Sequence, residues 1–428
     1  MSDLVSGLDQ GRAQALVMAG AGLSVVGDGV FLTGLAWSVL STTGSAVQLS
    51  TVMGALSVVL ILATPLTGQI LDWKRGPNWL VGSEYLAATA LFAAVAFLTA
   101  YKPGFAFFLA LGLLVNLFSS LSGPALPIML ARMSSPEALP RAMARSEVAS
   151  RAGRIGGPLI GGALVGIGDF RLCCAVNAVS YLVSGSCWLA ARSRLARSTD
   201  TGAQVGTSRT SRVTAGARYV WHDSYLRGLI LVALVANTSI SFTTVTVPLL
   251  VYGPLHGGSG TYGLMQATFQ GGILLASVVF SMRPLPSAML SGRRGLGSSL
   301  LGLGLSFVLM GLSPTIPLAV GAILLAGIWL SVTSLITDTK LVTDVPAEVR
   351  GRVLGMVSSA FGSLRPAGTF AGGAVAGAVG VAFATVGGGV ALALAGLYYQ
   401  LPRSRPAAAT VGLPTGAGSR IEPADLEQ

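Results

Sequence analysis

Twelve long apolar runs alternate with short polar turns along this chain, and no other feature of the sequence constrains its fold as strongly. The runs fall at about 13–40, 46–71, 79–100, 104–130, 143–168, 172–191, 227–252, 261–282, 296–312, 316–338, 351–378 and 380–400. A bilayer-spanning helix needs about 20 mainly apolar residues, so twelve of them use roughly 250 and leave the rest for turns and tails. Only 10% of the 428 residues are charged and 52% are hydrophobic. Soluble domains carry about 25% charged residues, so this chain has too little polar surface to face water. In lipid each backbone N–H and C=O must be satisfied inside its own segment, which leaves the helix as the form these runs can take. The expected fold is an all-α polytopic membrane protein with twelve transmembrane helices.

The 57 glycines sit mostly within the apolar runs, with no collagen-like period. Small residues there let helices approach closely in lipid. The formal net charge of +11 does not point to nucleic acid, because the 27 Lys and Arg are scattered in short clusters between spans. The cysteines, Cys173, Cys174 and Cys187, make neither a disulfide framework nor metal spacing and are expected as small core residues. The opening MSDLVSGLDQGR is polar and acidic, so the first span is expected as a retained helix rather than a signal peptide. Placing both termini inside leaves only Lys102 and Arg171 in outer loops, as the positive-inside rule requires.

The two halves repeat each other. Pro136-Glu137 with Arg141 precedes a helix reaching Gly161-Gly162, and Pro346 with Glu348, Arg350 and Arg352 precedes one reaching Gly372-Gly373, about 210 residues on. Duplicated six-helix halves with a site between them at the midplane mark secondary transporters. The expected organisation is an N-terminal bundle over 1–191, a Ser-, Thr- and Arg-rich cytoplasmic linker over 192–226, a C-terminal bundle over 227–402 and a cytoplasmic tail over 403–428. Within the linker, Tyr219, Trp221 and Tyr225 suggest a short interfacial helix.

Two motifs carry chemistry. After the second run comes Gly68-x-x-x-Asp72-Trp73-Lys74-Arg75-Gly76, where a carboxylate beside two cations can latch a cytoplasmic junction or simply anchor it. The fifth run holds Gly153-x-x-x-Gly157-Pro158-x-x-Gly161-Gly162. Its glycines stack on one helix face as a flat groove for a neighbour, and Pro158 cannot donate to the helix ladder. With these residues, and with Ser122-Gly123-Pro124-Ala125, the chain resembles the major facilitator superfamily over roughly residues 13–400, and in particular its drug, macrolide and siderophore exporters. Gly68 to Gly76 resembles the family's loop motif between helices 2 and 3, and the fifth-run pattern resembles its antiporter motif. The resemblance implies two pseudo-symmetric six-helix bundles and export.

Ionisable groups inside the membrane are default functional candidates. Asp28 lies mid-span in GLSVVGDGVFLTGLAW, where a carboxylate costs roughly 2.5–3.5 kcal/mol on insertion scales. It is read as a proton-coupling acid, a role that the resemblance also implies for a helix 1 acid, or as a structural hydrogen bond or ion pair. Glu84, near the cytoplasmic end of the third run, is expected to form a salt bridge with nearby basic groups and is grouped with Gly68, Asp72, Lys74 and Arg75 as a cytoplasmic gate. Glu147 and Arg151, four apart, pair along a helix. Arg154 and Arg365 are candidate cavity charges that balance Asp28, attract an anionic substrate or line an ion-pair network between the halves. Phe31, Asn116, Asn237, Phe242, Gln270 and Trp329 are candidate cavity residues, with packing or interhelical hydrogen bonding as the alternative for each.

No enzyme signature is present: His222 and His256 lack companions at ligand spacing, and no G-x-x-x-x-G-K-[ST] phosphate loop occurs. Uphill transport then has to draw on an ion gradient, with no cofactor. The expected activity is proton-antiport efflux of a small amphipathic molecule such as a drug, antibiotic or secondary metabolite. Siderophore export is the nearest alternative, followed by nutrient import and a non-transporting membrane sensor or assembly factor. The partners are the substrate, protons and the bilayer, with no nucleic acid and a monomeric chain. Three lysines among 27 basic residues fit a GC-rich bacterial source and its inner membrane. Single-cysteine labelling from outside should reach Pro103→Cys and His256→Cys but not Arg75→Cys or Arg209→Cys; the reverse pattern overturns the topology.

Overall fold

The computed structural model describes residues 2–72, 76–122, 125–135, 137–199, 224–283, 292–345 and 347–401, and every regular element among them is a helix. The first half comprises α1 (Ser2–Thr43), α2 (Ala46–Asp72), α3 (Gly76–Ala100), α4 (Phe105–Ser122), α5 (Ala125–Met133), α6 (Leu139–Gly168) and α7 (Phe170–Thr199). The second comprises α8 (Ser224–Tyr252), α9 (Ser259–Met282), α10 (Gly292–Gly311), α11 (Ile316–Thr343), α12 (Ala347–Val379) and α13 (Val381–Gln400). The fourth apolar run is two helices, α4 and α5, which together form one span. The other runs are one helix each, twelve rods in all.

Helices outlast the apolar runs that nucleate them. α1 begins at Ser2 rather than near 13, α6 at Leu139 rather than 143, and α7 continues to Thr199 rather than ending near 191. Polar residues beyond the hydrocarbon edge can extend the hydrogen-bonded ladder at little cost, so hydropathy marks the membrane, not the helix end. The expected linker therefore loses 192–199 to α7 and 224–226 to α8. Its remainder, with the interfacial helix proposed around Tyr219 and Trp221, lies outside the described residues, as does the tail from 402. Among the described residues, ten spans are long and apolar enough to cross a membrane. The two long helices outside that group are α6 and α12, which carry Arg154 and Arg365 in their interiors.

Within the first half α1 is central, packing on α6 and α7, while α3 lies on α7 and α4 closes against α2 and α3. In the second half α10 packs on α13 and α11, α9 on α11, and α8 on α12. Two seams join the halves, α6 against α9 and α2 against α12. Backbone proximity holds these pairs. A Cβ on Gly389 of α13 would lie 2.7 Å from the carbonyl oxygen of Gly304 of α10, and one on Gly396 would lie 2.6 Å from that of Gly297. Cys173 and Cys174 are free and fully buried in α7.

The glycine face of α6 receives α1. A Cβ at Gly157 would stand 2.7 Å from the Val26 carbonyl oxygen and 2.9 Å from Gly29 Cα, whereas Gly156 has nothing within 4 Å. Gly157→Ala should therefore destabilise the protein by about 1–3 kcal/mol, as overpacking does, and Gly156→Ala should be close to neutral. Thermal unfolding of the purified variants in detergent checks this, and equal midpoints for the two variants would refute the groove.

Candidate functional site

Asp28 sits on α1 facing α7. The Tyr181 hydroxyl donates a hydrogen bond to its Oδ1 at 2.5 Å. Asn177, one turn earlier on α7, is buried and stands beside the same carboxylate. The Asn177 Oδ1 accepts from Ser180 at 2.9 Å, which turns the amide nitrogen away from that hydroxyl. Gly27 makes the approach possible, because Asn177 and Ser180 occupy the space a side chain there would need. Of the alternatives for Arg154 and Arg365, the pairing with Asp28 is corrected: among the described residues Asp28 forms no ion pair with either, and a tyrosine hydroxyl donates a hydrogen bond to it instead. Asn177, Ser180, Tyr181 and Ser184 form a polar stripe at helical spacing, the signal in the sixth run that pointed to this partner.

Glu84 also belongs to this neighbourhood. It is 1% exposed, packed where α3 meets α7, and its charge is felt at Tyr181. Gly185, one turn after Tyr181, leaves room for it, since a Cβ there would lie 3.1 Å from Glu84 Cβ. Glu84 is therefore buried inside the first bundle. The rest of the expected cytoplasmic gate cannot be placed beside it: Lys74 and Arg75 lie outside the described residues, and so do the surroundings of Gly68 and Asp72 in the last turn of α2.

The antiporter-like run serves two neighbours at once. Gly153, Gly157 and Gly161 face Val25, Gly29 and Val30 of α1, while Gly162 and Pro158 face Gly263 of α9. Ser259 Oγ donates to the Gly162 carbonyl at 2.8 Å, capping that seam. On the other side Gly373 of α12 is pressed against Ser50 and Ala46 of α2, and Gly377 against Val47. Trp37 bridges to Tyr252 and Tyr262 with ring centroids 5.8 and 6.2 Å apart. The residues that join the halves, Gly162, Ser259, Gly263, Ser50 and Gly373 with the Trp37 ring contacts, lie within about two helical turns of 44–45, 169, 253–258 and 380. The halves therefore close on each other at that end of the bundle.

Deeper along the same helices lie the two interior arginines, both exposed. Arg365 feels the positive charge of Arg154 across the halves. Neither forms an ion pair with a described carboxylate; Glu147 is taken by Arg151 at 2.9 Å, as their spacing predicts. At the α5–α6 junction, Glu137 is exposed, and hydrogen bonds from its own backbone and from Ser135 hold its carboxyl below the usual range.

Most expected cavity residues are packing elements. Phe31 is buried and packs at a tilt against Phe170, with ring centroids 5.7 Å apart, and Phe170 is itself 5.7 Å from Phe108, so its place is the core of the first bundle and not a cavity wall. The Asn116 amide donates to the Leu56 carbonyl at 2.6 Å and ties α4 to α2. Trp329 fills the space above Gly302 on α10, and Phe242 packs against Gly372 and Gly388. Asn237 is half-buried on α8, where its carbonyl accepts from Ser241 at 3.1 Å. Gln270, half-exposed on α9, has no hydrogen bond to a described residue and is the candidate left free to meet a ligand.

A twelve-rod bundle in two repeated halves, with charged residues at the seam helices, is the architecture of a secondary transporter. Residues 17–364 match the Major Facilitator Superfamily, and the chain belongs to that family of transporters. It is 25% identical over 385 residues to the multidrug efflux pump Tap of Mycolicibacterium fortuitum, an alignment covering 86% of this chain and 90% of the pump. Among solved structures it is similar in fold to a bacterial homologue of the human lysosomal transporter Spinster, in an inward-facing and unoccupied conformation. The TM-score is 0.69 at 15% identity, over 91% of this chain and 96% of that one. A POT family transporter in complex with a thioalcohol-conjugated peptide gives 0.67 at 12% identity, over 90% and 95%.

A Cβ at Gly162 would lie 2.5 Å from the Ser259 carbonyl oxygen and 3.0 Å from Gly263 Cα. Gly162→Val should prise α6 from α9 and open the closed end. Spin labels at Gly44→Cys and His256→Cys should then move apart by several ångströms relative to the parent pair. An unchanged separation in a normally folded variant means that this contact does not hold the end shut.

Proposed function

We propose that this transporter exports a small amphipathic molecule by proton antiport, with Asp28 as the coupling carboxylate. The observation that carries the reading is the Asp28–Tyr181 hydrogen bond, which places a titratable group inside the first bundle at the junction of α1 and α7. The efflux activity in the name of the Mycolicibacterium relative supports the outward direction. In the proposed orientation both termini and the 192–226 linker are cytoplasmic in a bacterial inner membrane. The closed end then faces outward, and the described conformation is inward-facing. The chain works as a monomer without a cofactor.

Alternating access requires each ligand to prefer one state, because equal affinity shifts no population. Ionised Asp28 accepts the Tyr181 hydroxyl proton in a charge-assisted bond, about twice as strong as a neutral one. That bond holds α1 against α7 and favours the inward-open form, which loads substrate from the cytoplasm. A proton arriving from outside neutralises Asp28, weakens the bond and frees α1 to move with α6. Protonated Asp28 thus favours the outward state in which substrate leaves. In the inward-closed state Asp72, Lys74 and Arg75 latch the cytoplasmic side.

Each proton moving down a 100 mV potential supplies about 2.3 kcal/mol from the electrical term. Since about 1.4 kcal/mol is a factor of ten, one proton per cycle supports more than tenfold concentration of a neutral substrate. Asp28→Asn should abolish proton-driven efflux of amphipathic dyes from loaded cells, while substrate binding to the purified variant stays largely intact. Export against a gradient by Asp28→Asn, with pH dependence unchanged, would make the residue structural and put the coupling acid elsewhere.

A further inference from the structure

We propose that Arg154 and Arg365 together form a binding site for an anionic group of the transported molecule (a carboxylate, sulfonate or phosphate), one arginine being supplied by each half. The inference rests on the export reading for its biological context but can be tested by binding alone.

The two residues are equivalent positions of the internal repeat. They are 211 residues apart, as are Gly157 and Gly368, Gly161 and Gly372, and Gly162 and Gly373. Those glycines fix which way each arginine points. In an α-helix successive residues turn by about 100°, so a residue seven further on lies about 20° to one side and one eight further on about 80° to the other. Seven residues past Arg154, Gly161 meets Val30 of α1; eight past it, Gly162 meets Gly263 of α9. Seven residues past Arg365, Gly372 meets Phe242 of α8; eight past it, Gly373 meets Ser50 of α2. Each arginine therefore points between the first helix of its own half and a helix of the opposite half, toward the space the two halves share.

Their surroundings leave the charges unneutralised. Both are exposed, and neither pairs with a carboxylate among the described residues. Asp28 is occupied by Tyr181 on α7, and Glu147 by Arg151. Arg365 senses the charge of Arg154, a repulsion between halves that an anion shared by both would turn into attraction. A guanidinium presents a planar fork of donors matched to carboxylate and phosphate oxygens, which makes the pair a recognition element rather than a diffuse field. Because the halves meet at one end and the arginines lie deeper along the seam helices, a bound anion draws the halves together. Affinity is then highest in the conformation where the two side chains converge, as a transported ligand requires.

The experiment compares wild type with Arg154→Gln, Arg365→Gln and Arg154→Lys, using carboxyfluorescein as the anionic probe and ethidium as the cationic one. In purified full-length protein, carboxyfluorescein should raise the thermal midpoint of wild type, and each Gln variant should bind it about tenfold more weakly or worse. Arg154→Lys should retain part of the affinity. In loaded cells the Gln variants should lose carboxyfluorescein efflux and keep any ethidium efflux. Equal carboxyfluorescein binding by wild type and well-folded Gln variants overturns the site, and so does wild-type binding of ethidium alone. Ethidium efflux by wild type in that case leaves the export reading standing. Carboxyfluorescein binding that depends on both arginines, without export of either probe, supports the site and counts against export.

Discussion

Close backbone approach at glycine faces is the constraint on which this structure depends. In a bilayer, apolar side chains gain little by leaving lipid for one another, so helices associate through van der Waals fit and interhelical hydrogen bonds. Here that fit comes from Gly157 and Gly161 against α1, Gly162 against Gly263, and Gly373 against Ser50. The first pair of glycines builds a half and the others join the halves, so one short run on α6 sets both internal packing and a contact between the halves. Among the described residues, the small-residue contacts between the halves gather toward one end of the seam helices. The two interior arginines lie along the same helices, past the region of tightest contact.

The second constraint is electrostatic. A carboxylate within a span carries a desolvation cost that it must offset locally. Asp28 does so with the Tyr181 hydroxyl, and Gly27 supplies the room that brings α7 near enough. Burying Glu84 close to the same tyrosine concentrates two acids within one bundle. Arg154 and Arg365, in contrast, are exposed and form no ion pair with a described carboxylate. Acid and base thus occupy separate compartments of the fold, which is why they do not neutralise each other and why each is open to a separate role.

Much of the architecture was readable before any coordinates. Twelve apolar runs required helices, and the repeat around Gly161-Gly162 and Gly372-Gly373 required two similar halves. The Glu147–Arg151 pair followed from spacing alone, because neighbours on one helix are fixed by its period. Phe31, Asn116 and Trp329 were legible only as residues able to line a cavity. Their packing roles depend on which helix lies opposite, and hydropathy does not report that. The burial of Glu84 is hidden from the sequence for the same reason, since it depends on Gly185 on α7, a hundred residues away.

The sequence by itself determined the helical class, the span pattern, the duplication and the residues too polar for lipid, since these follow from local hydrogen bonding and transfer energies. Tertiary structure alone decided that Asp28 meets Tyr181 rather than an arginine, and that Gly162 finds Gly263. Each of these is a contact between segments distant in the chain, chosen by the direction a side chain takes on its helix and by where a glycine lets the neighbour come close. Periodicity gives the first of these within one helix, but only packing of the whole bundle brings the partners together.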